Sequence, residues 1–126
     1  MNESKNRSNS NSIIRDQRRK EMGRLGEEMA ALMLQDQDYE ILCRNYRCRF
    51  GEIDIVAMKK GVLTFIEVKS RTGTAFGEPA EAVTWSKQQK LRQTALQFLN
   101  EYEGTFVGVE FQVVEVLLRH HDGLDF

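Results

Sequence analysis

Apolar residues recur along this chain with two periods, and the switches between them divide it into elements. From about Gln17 to Gln35, Met22, Leu25, Met29, Leu32 and Met33 return at helical spacing, predicting a helix with these on its core side and Arg24, Glu28 and Gln35 facing away. Glu27 falls at the margin, near Ala30 and Leu34, where its carboxylate can lean toward an adjacent sheet, while Glu28 is expected to meet water. Tyr39 to Arg47 alternates as a strand, with Ile41 and Cys43 on one face and Leu42 and Arg44 on the other. Glu52 to Met58 and Val62 to Lys69 follow as two short strands around a Lys60-Gly61 turn.

A segment with Gly73, Gly77 and Pro79 separates these strands from a second helix, either a loop that closes over substrate or an ordinary crossover. Ser86 and Gln89 are spaced as a capping box, and Leu91, Ala95, Phe98 and Tyr102 form the apolar stripe that follows. Gly104 ends that helix, and Thr105 to Leu118 is apolar enough for a last strand buried on both faces, with Gly108 marking a bulge. Residues 1–12 are rich in Asn and Ser without apolar periodicity, so residues 1–16 read as a disordered polar tail, 17–119 as one domain and 120–126 as a second tail. The order helix, three strands, helix, strand predicts an α/β fold: a mixed four-stranded sheet flanked by helices, with a right-handed crossover setting the last strand parallel to the third.

The hairpin carries charges where a bland one would be apolar. With a two-residue loop, Lys59 pairs with Val62, Asp54 falls opposite Glu67 and Glu52 opposite Lys69. Facing carboxylates destabilise a sheet unless something such as a shared cation offsets the repulsion. Alternation places Asp54, Glu67 and Lys69 on one patch, and a divalent metal on the two acids beside an ammonium is chemistry that cleaves phosphodiesters. Arg44, Arg47 and Arg49 supply a positive rim suited to a polyanion.

Asp54 followed by Glu67-Val68-Lys69 resembles the D…ExK signature of restriction-endonuclease-like nucleases. The wider run of Gly26-Glu27, Arg44-Asn45, GEIDIVA, FIEVKSR and SKQQKLRQTA is similar to the YraN family, small bacterial proteins related to Holliday-junction resolvases, across roughly residues 22 to 118. The resemblance implies a restriction-endonuclease-like core and an Mg²⁺- or Mn²⁺-dependent endonuclease acting on DNA, branched DNA included. Asp54, Glu67 and Glu27 would hold the metal, Lys69 would complete the catalytic set, and Arg44, Arg47, Arg71, Lys87 and Lys90 would contact nucleic acid. Resolvases that cut symmetric junctions act in pairs, which implies a homodimer. The chain departs from the family where relatives commonly read Arg-Phe-Asp-Val and it has Glu110-Phe111-Gln112-Val113.

Composition narrows these readings. A formal net charge of −1 and a pI near 6.1 argue against indiscriminate phosphate binding, so any nucleic-acid site is a local patch. The cluster Arg15, Arg18, Arg19 and Lys20 reads as a solvated tail entering a helix before it reads as a phosphate contact. No apolar run is long enough to span a membrane, and the expected compartment is the cytoplasm. Cys43 and Cys48 read as free thiols, and His120 and His121 as exposed. Two alternatives to the nuclease remain: a non-catalytic nucleic-acid-binding module on the same fold, and a partner-binding protein whose hairpin charges form ion pairs.

Overall fold

In a computed structural model, described for residues 2–72 and 84–123, helix α1 (Asn2–Asp36) leads into strands β1 (Glu40–Cys48), β2 (Gly51–Lys59) and β3 (Val62–Thr72). Helix α2 (Trp85–Glu101) and strand β4 (Gly108–Leu118) complete the order α-β-β-β-α-β. The sheet runs β1-β2-β3-β4, antiparallel except for the parallel β3–β4 pair, as the pattern predicts. The loop singled out around Gly73, Gly77 and Pro79 lies outside the described residues.

Helix α1 differs from its expected form in two respects. The helix extends back through the segment expected to be a tail, although the Asn and Ser there are weak helix formers, and residues 9–21 are exposed throughout. The buried face is also not the expected one. Gly26, Ala30, Ala31 and Leu34 meet the sheet, while Leu25, Met29 and Leu32 are 49%, 50% and 65% exposed. Both sets satisfy helical spacing, and size decides between them: small side chains let the helix axis approach the strands. Gly26 is the tightest point, since a Cβ there would collide with the Ser70 hydroxyl.

The sheet separates two cores. On the α1 side Ala30, Ala31 and Leu34 pack on Ile55, Ala57 and Ile66. On the α2 side Ala95 and Phe98 pack on Ile53, Val56, Leu63 and Phe65, with Phe98 edge-on to both Phe65 and Tyr46. A bulge between Ile41 and Cys43 corrects the facing predicted for β1: Ile41 packs into the α1-side core, whereas Leu42 and Cys43 both pack into the other. The two cysteines are free and half-buried, and burial pushes the Cys43 thiol up.

Helix α2 is capped two residues earlier than expected. Thr84, not Ser86, is the N-cap, its hydroxyl accepting from the Lys87 N–H at 3.3 Å. Its buried stripe of Thr94, Ala95 and Phe98 lies over β2 and β1, leaving β4 largely uncovered on that side among the described residues. The last strand is accordingly not buried on both faces: it begins at Gly108 and forms an edge on which Val109, Phe111, Val113 and Leu117 are all more than two-fifths exposed. No helix among the described residues is long and apolar enough to cross a membrane.

Candidate functional site at the hairpin fork

The β2–β3 hairpin is closed at one end by its predicted turn. Lys59 pairs with Val62, and Lys60 (φ 50°) and Gly61 (φ 78°) are both left-handed, as a type I′ turn requires. Pairing runs to Ile55–Ile66 and stops there, one step before Asp54 and Glu67. At this fork the Val68 N–H donates to Asp54 Oδ2 at 2.8 Å, so a carboxylate satisfies a backbone donor that β2 no longer reaches with its own backbone.

The pleat is also interrupted at Asp54. Ile53 belongs to the α2-side core and Ile55 to the α1-side core, although two residues apart on a regular strand share a face. The β1–β2 register passes from Arg44–Ile55 to Tyr46–Ile53 without pairing Asn45 and Asp54, and Asn45 is left-handed (φ 54°). This paired irregularity sends Asp54 into the α1-side hollow, of about 440 Å³, with Glu27, Glu52, Lys20, Gly23, Arg24, Asn45, Arg47 and Val68.

Glu67 keeps the phase of Leu63 and Phe65 and lines hollows on the α2 side. One of them, of about 210 Å³, also includes Gly51, Glu52, Lys87, Lys90, Leu91 and Thr94. The single patch expected of Asp54, Glu67 and Lys69 is thus divided: Asp54 and Glu67 line two adjoining hollows that share Glu52, and Lys69 lines neither. Lys87 and Lys90, singled out in the sequence, meet Glu67 there.

The acids remain electrostatic neighbours across the fork. Burial pushes the Asp54 carboxyl above its ordinary value, the Val68 N–H pulls it back, and the charges of Glu27, Glu52 and Glu67 push it up again. Glu27 leans toward the sheet as its marginal position predicts, and Arg44 holds it at 3.4 Å while also binding Glu28 at 3.0 Å. Glu28 therefore has an ion-pair partner where only water was expected. Glu52 pairs with Arg47 at 3.3 Å instead of Lys69, because cross-strand register on β1 brings those two together. Arg71 is engaged by Glu115 of β4 at 2.9 Å, and Lys69, half-buried, lies opposite the same glutamate in the β3–β4 ladder. At the departure from the family pattern, the Gln112 amide donates to the Tyr39 hydroxyl at 3.3 Å.

Carboxylate oxygens suit a hard cation. Mg²⁺ needs only one or two protein carboxylates when water and substrate phosphate supply the rest of its shell. Among the described residues no three His, Cys, Asp or Glu side chains gather closely enough to hold an ion by themselves. The donor set thus fits a metal shared with substrate and does not fit an all-protein cage. Sequence reasoning missed Glu52, Asn45, Lys20 and Arg24 as neighbours of Asp54. The last two were detectable, since Lys20, Arg24 and Glu27 follow i, i+4, i+7 spacing on one helix face.

A profile described as an uncharacterised protein family, UPF0102, matches residues 26–116, which contain the whole fork. A UPF0102 protein of Nocardia farcinica is 47% identical over 97 residues, covering 77% of this chain and 76% of that protein. One from Acidothermus cellulolyticus is 47% identical over 115 residues, covering 83% and 87%, and one from Desulforamulus reducens 47% identical over 100 residues, covering 78% and 82%. With the profile spanning most of the chain and relatives this similar over most of their own length, the protein belongs to the UPF0102 family, the family of the YraN proteins it resembles in sequence.

Proposed function

We propose that this protein is a metal-dependent endonuclease that hydrolyses phosphodiester bonds in DNA, branched DNA included, at the fork of the β2–β3 hairpin. The observation that supports this reading best is the hollow that the half-buried Asp54 shares with Glu27 and Glu52, whose charges, with that of Glu67 across the fork, a dication offsets. Asp54 and Glu67 would hold Mg²⁺ or Mn²⁺, with Glu27 behind them fixed by Arg44. Bound there, the metal supplies Lewis acidity and a water acidic enough to attack near neutral pH.

The chain's own groups do the positioning. The Val68 N–H fixes one Asp54 oxygen and leaves the other available to a ligand. Lys69, two residues beyond Glu67 on β3, offers an ammonium to the charge that develops on the phosphoryl oxygens. Attack by the water oxygen forms one new P–O bond as its proton passes to solvent, the bond to the departing sugar oxygen breaks, and that oxygen takes a proton from solvent.

The test incubates the purified full chain with linear, flapped and four-way DNA, with and without Mn²⁺, beside Asp54→Ala and Lys69→Ala. Cleavage that requires Mn²⁺ and falls about 100-fold or more in both variants, with circular dichroism unchanged, is the expected result. Equal cleavage by all three proteins overturns the assignment. A second reading, a non-catalytic nucleic-acid-binding module, is favoured by one observation: Asp54 and Glu67 line different hollows. That reading predicts oligonucleotide binding without cleavage, and no Mn²⁺-dependent rise in melting temperature.

A further inference from the structure

The charge cluster that the sequence left as a solvated tail lies on α1 beside the fork. Residues 15–24 carry the cations Arg15, Arg18, Arg19, Lys20 and Arg24 against the acids Asp16 and Glu21, in a chain whose overall charge is −1. The basic excess is therefore local, and the remainder of the molecule is acidic. Lys20 and Arg24 line the hollow that contains Asp54. Arg18 and Arg19 line the next one, of about 500 Å³, with Met22, Gly23, Val68, Ser70 and Thr72. Gly23 and Val68 belong to both, so the two hollows form one trough between α1 and β3, and it ends at the fork.

These cations differ from the other arginines of the site. Arg44, Arg47 and Arg71 are tied to Glu27 and Glu28, Glu52, and Glu115 respectively, and Arg24 to Glu21. Among the described residues Arg18, Arg19 and Lys20 have no acidic partner, and all three are exposed. Asp16 stands four residues before Lys20, and Glu21 three after Arg18, both within helical reach, yet neither forms an ion pair with these cations, and Glu21 is taken by Arg24. This helix face leaves three positive charges unmatched along a trough.

From these observations we infer that Arg18, Arg19 and Lys20 bind the phosphate backbone of a nucleic-acid strand and lead it along α1 to Asp54. Arg18 to Glu27 is nine residues of helix, about 14 Å, which matches about four nucleotide steps at about 3.4 Å of axial rise each. Contacts of this kind are indifferent to base sequence and sensitive to salt. The trough serves the activity proposed above by holding substrate, and the inference rests on that reading for its purpose but not for its measurement.

The experiment measures fluorescence anisotropy of labelled single-stranded and duplex 24-mers with the full chain in EDTA, across 50 to 200 mM KCl. It compares the unmodified protein with Arg18→Gln/Arg19→Gln/Lys20→Gln and with Lys59→Gln/Lys60→Gln at the far end of the hairpin. Loss of the three cations weakens binding at least tenfold at 100 mM KCl and lowers the duplex salt slope by roughly 2 to 3, at about 0.9 per phosphate contact, while the hairpin variant binds as before. Unchanged affinity and slope in the triple variant, or an equal loss in the hairpin variant, overturns the inference. So does binding to phosphatidylglycerol vesicles with none to either oligonucleotide. Because EDTA prevents turnover, a protein unable to cut DNA still passes, and one that cuts but binds equally well without the three cations fails.

Discussion

From Ile55 to the Lys60-Gly61 turn, β2 and β3 are matched pair by pair, and Ile55, Val56, Ala57, Leu63, Thr64, Phe65 and Ile66 are each 1% exposed or less. From Asp54 outward, the same two strands carry half-buried Asp54, Glu67 and Lys69, and no β2–β3 backbone pairing is present. Both halves have helices above and below the sheet. They differ in which groups satisfy the backbone: neighbouring strand atoms in the closed half, and a side-chain carboxylate at the fork. The closed half therefore holds the geometry and the open half keeps polar groups available to a ligand, a division in which a rigid scaffold positions reactive groups at its margin.

This comparison breaks most readily at Phe65, which is fully buried and packs against Phe98 and Phe111. Phe65→Ala should destabilise the protein by about 3 to 5 kcal/mol, whereas Glu67→Gln two residues away should change stability by less than about 0.5 kcal/mol, both read from urea unfolding midpoints. Similar losses from the two substitutions would mean that the open half is as load-sharing as the closed one.

A smaller effect appears with pH. The Asp54 carboxyl is raised in the folded state by burial and by its acidic neighbours, so the folded protein binds its proton more tightly than the unfolded chain does. Its contribution to stability is full below the unfolded value, near 3.8, and is lost as pH rises through the raised folded value. Asp54→Asn keeps an oxygen for the Val68 N–H but cannot titrate, so its stability should lack this fall on going from pH 4 toward neutrality. Mn²⁺ should raise the melting temperature of the unmodified protein and not that of the variant. A wild-type profile parallel to that of the variant would remove the electrostatic reading of the fork.

The smallest expected change is at the closed end. Lys60 occupies a left-handed conformation that Asn adopts more readily, and Asn-Gly is the preferred type I′ pair. Lys60→Asn should stabilise the protein by about 0.5 kcal/mol without altering the fork, measured as a shift in unfolding midpoint with unchanged denaturant slope.

The element order, the hairpin turn and the register from Lys59–Val62 to Ile55–Ile66 were legible in the sequence because each follows from local rules: apolar period, a turn dipeptide and strict two-residue alternation; the pairs expected beyond, Asp54 with Glu67 and Glu52 with Lys69, are not formed. The lean of Glu27 toward the sheet was legible for a similar reason, from its place near Ala30 and Leu34 on the helix. Legibility ended where two local solutions were equally good. Leu25, Met29 and Leu32 form as regular a stripe as Gly26, Ala30 and Leu34, and only the closeness of β3 at Ser70 selects the small residues.

Alternation alone puts Asp54 on the side of Glu67, and the chain gives no local sign that the pleat inverts opposite Asn45. Sequence thus determined which segments become strands and helices, and which acids lie near one another along them. Tertiary structure decided which face each acid takes and which cations lie beside it, because those choices depend on how closely α1 and the neighbouring strands approach, and periodicity carries no information about that distance.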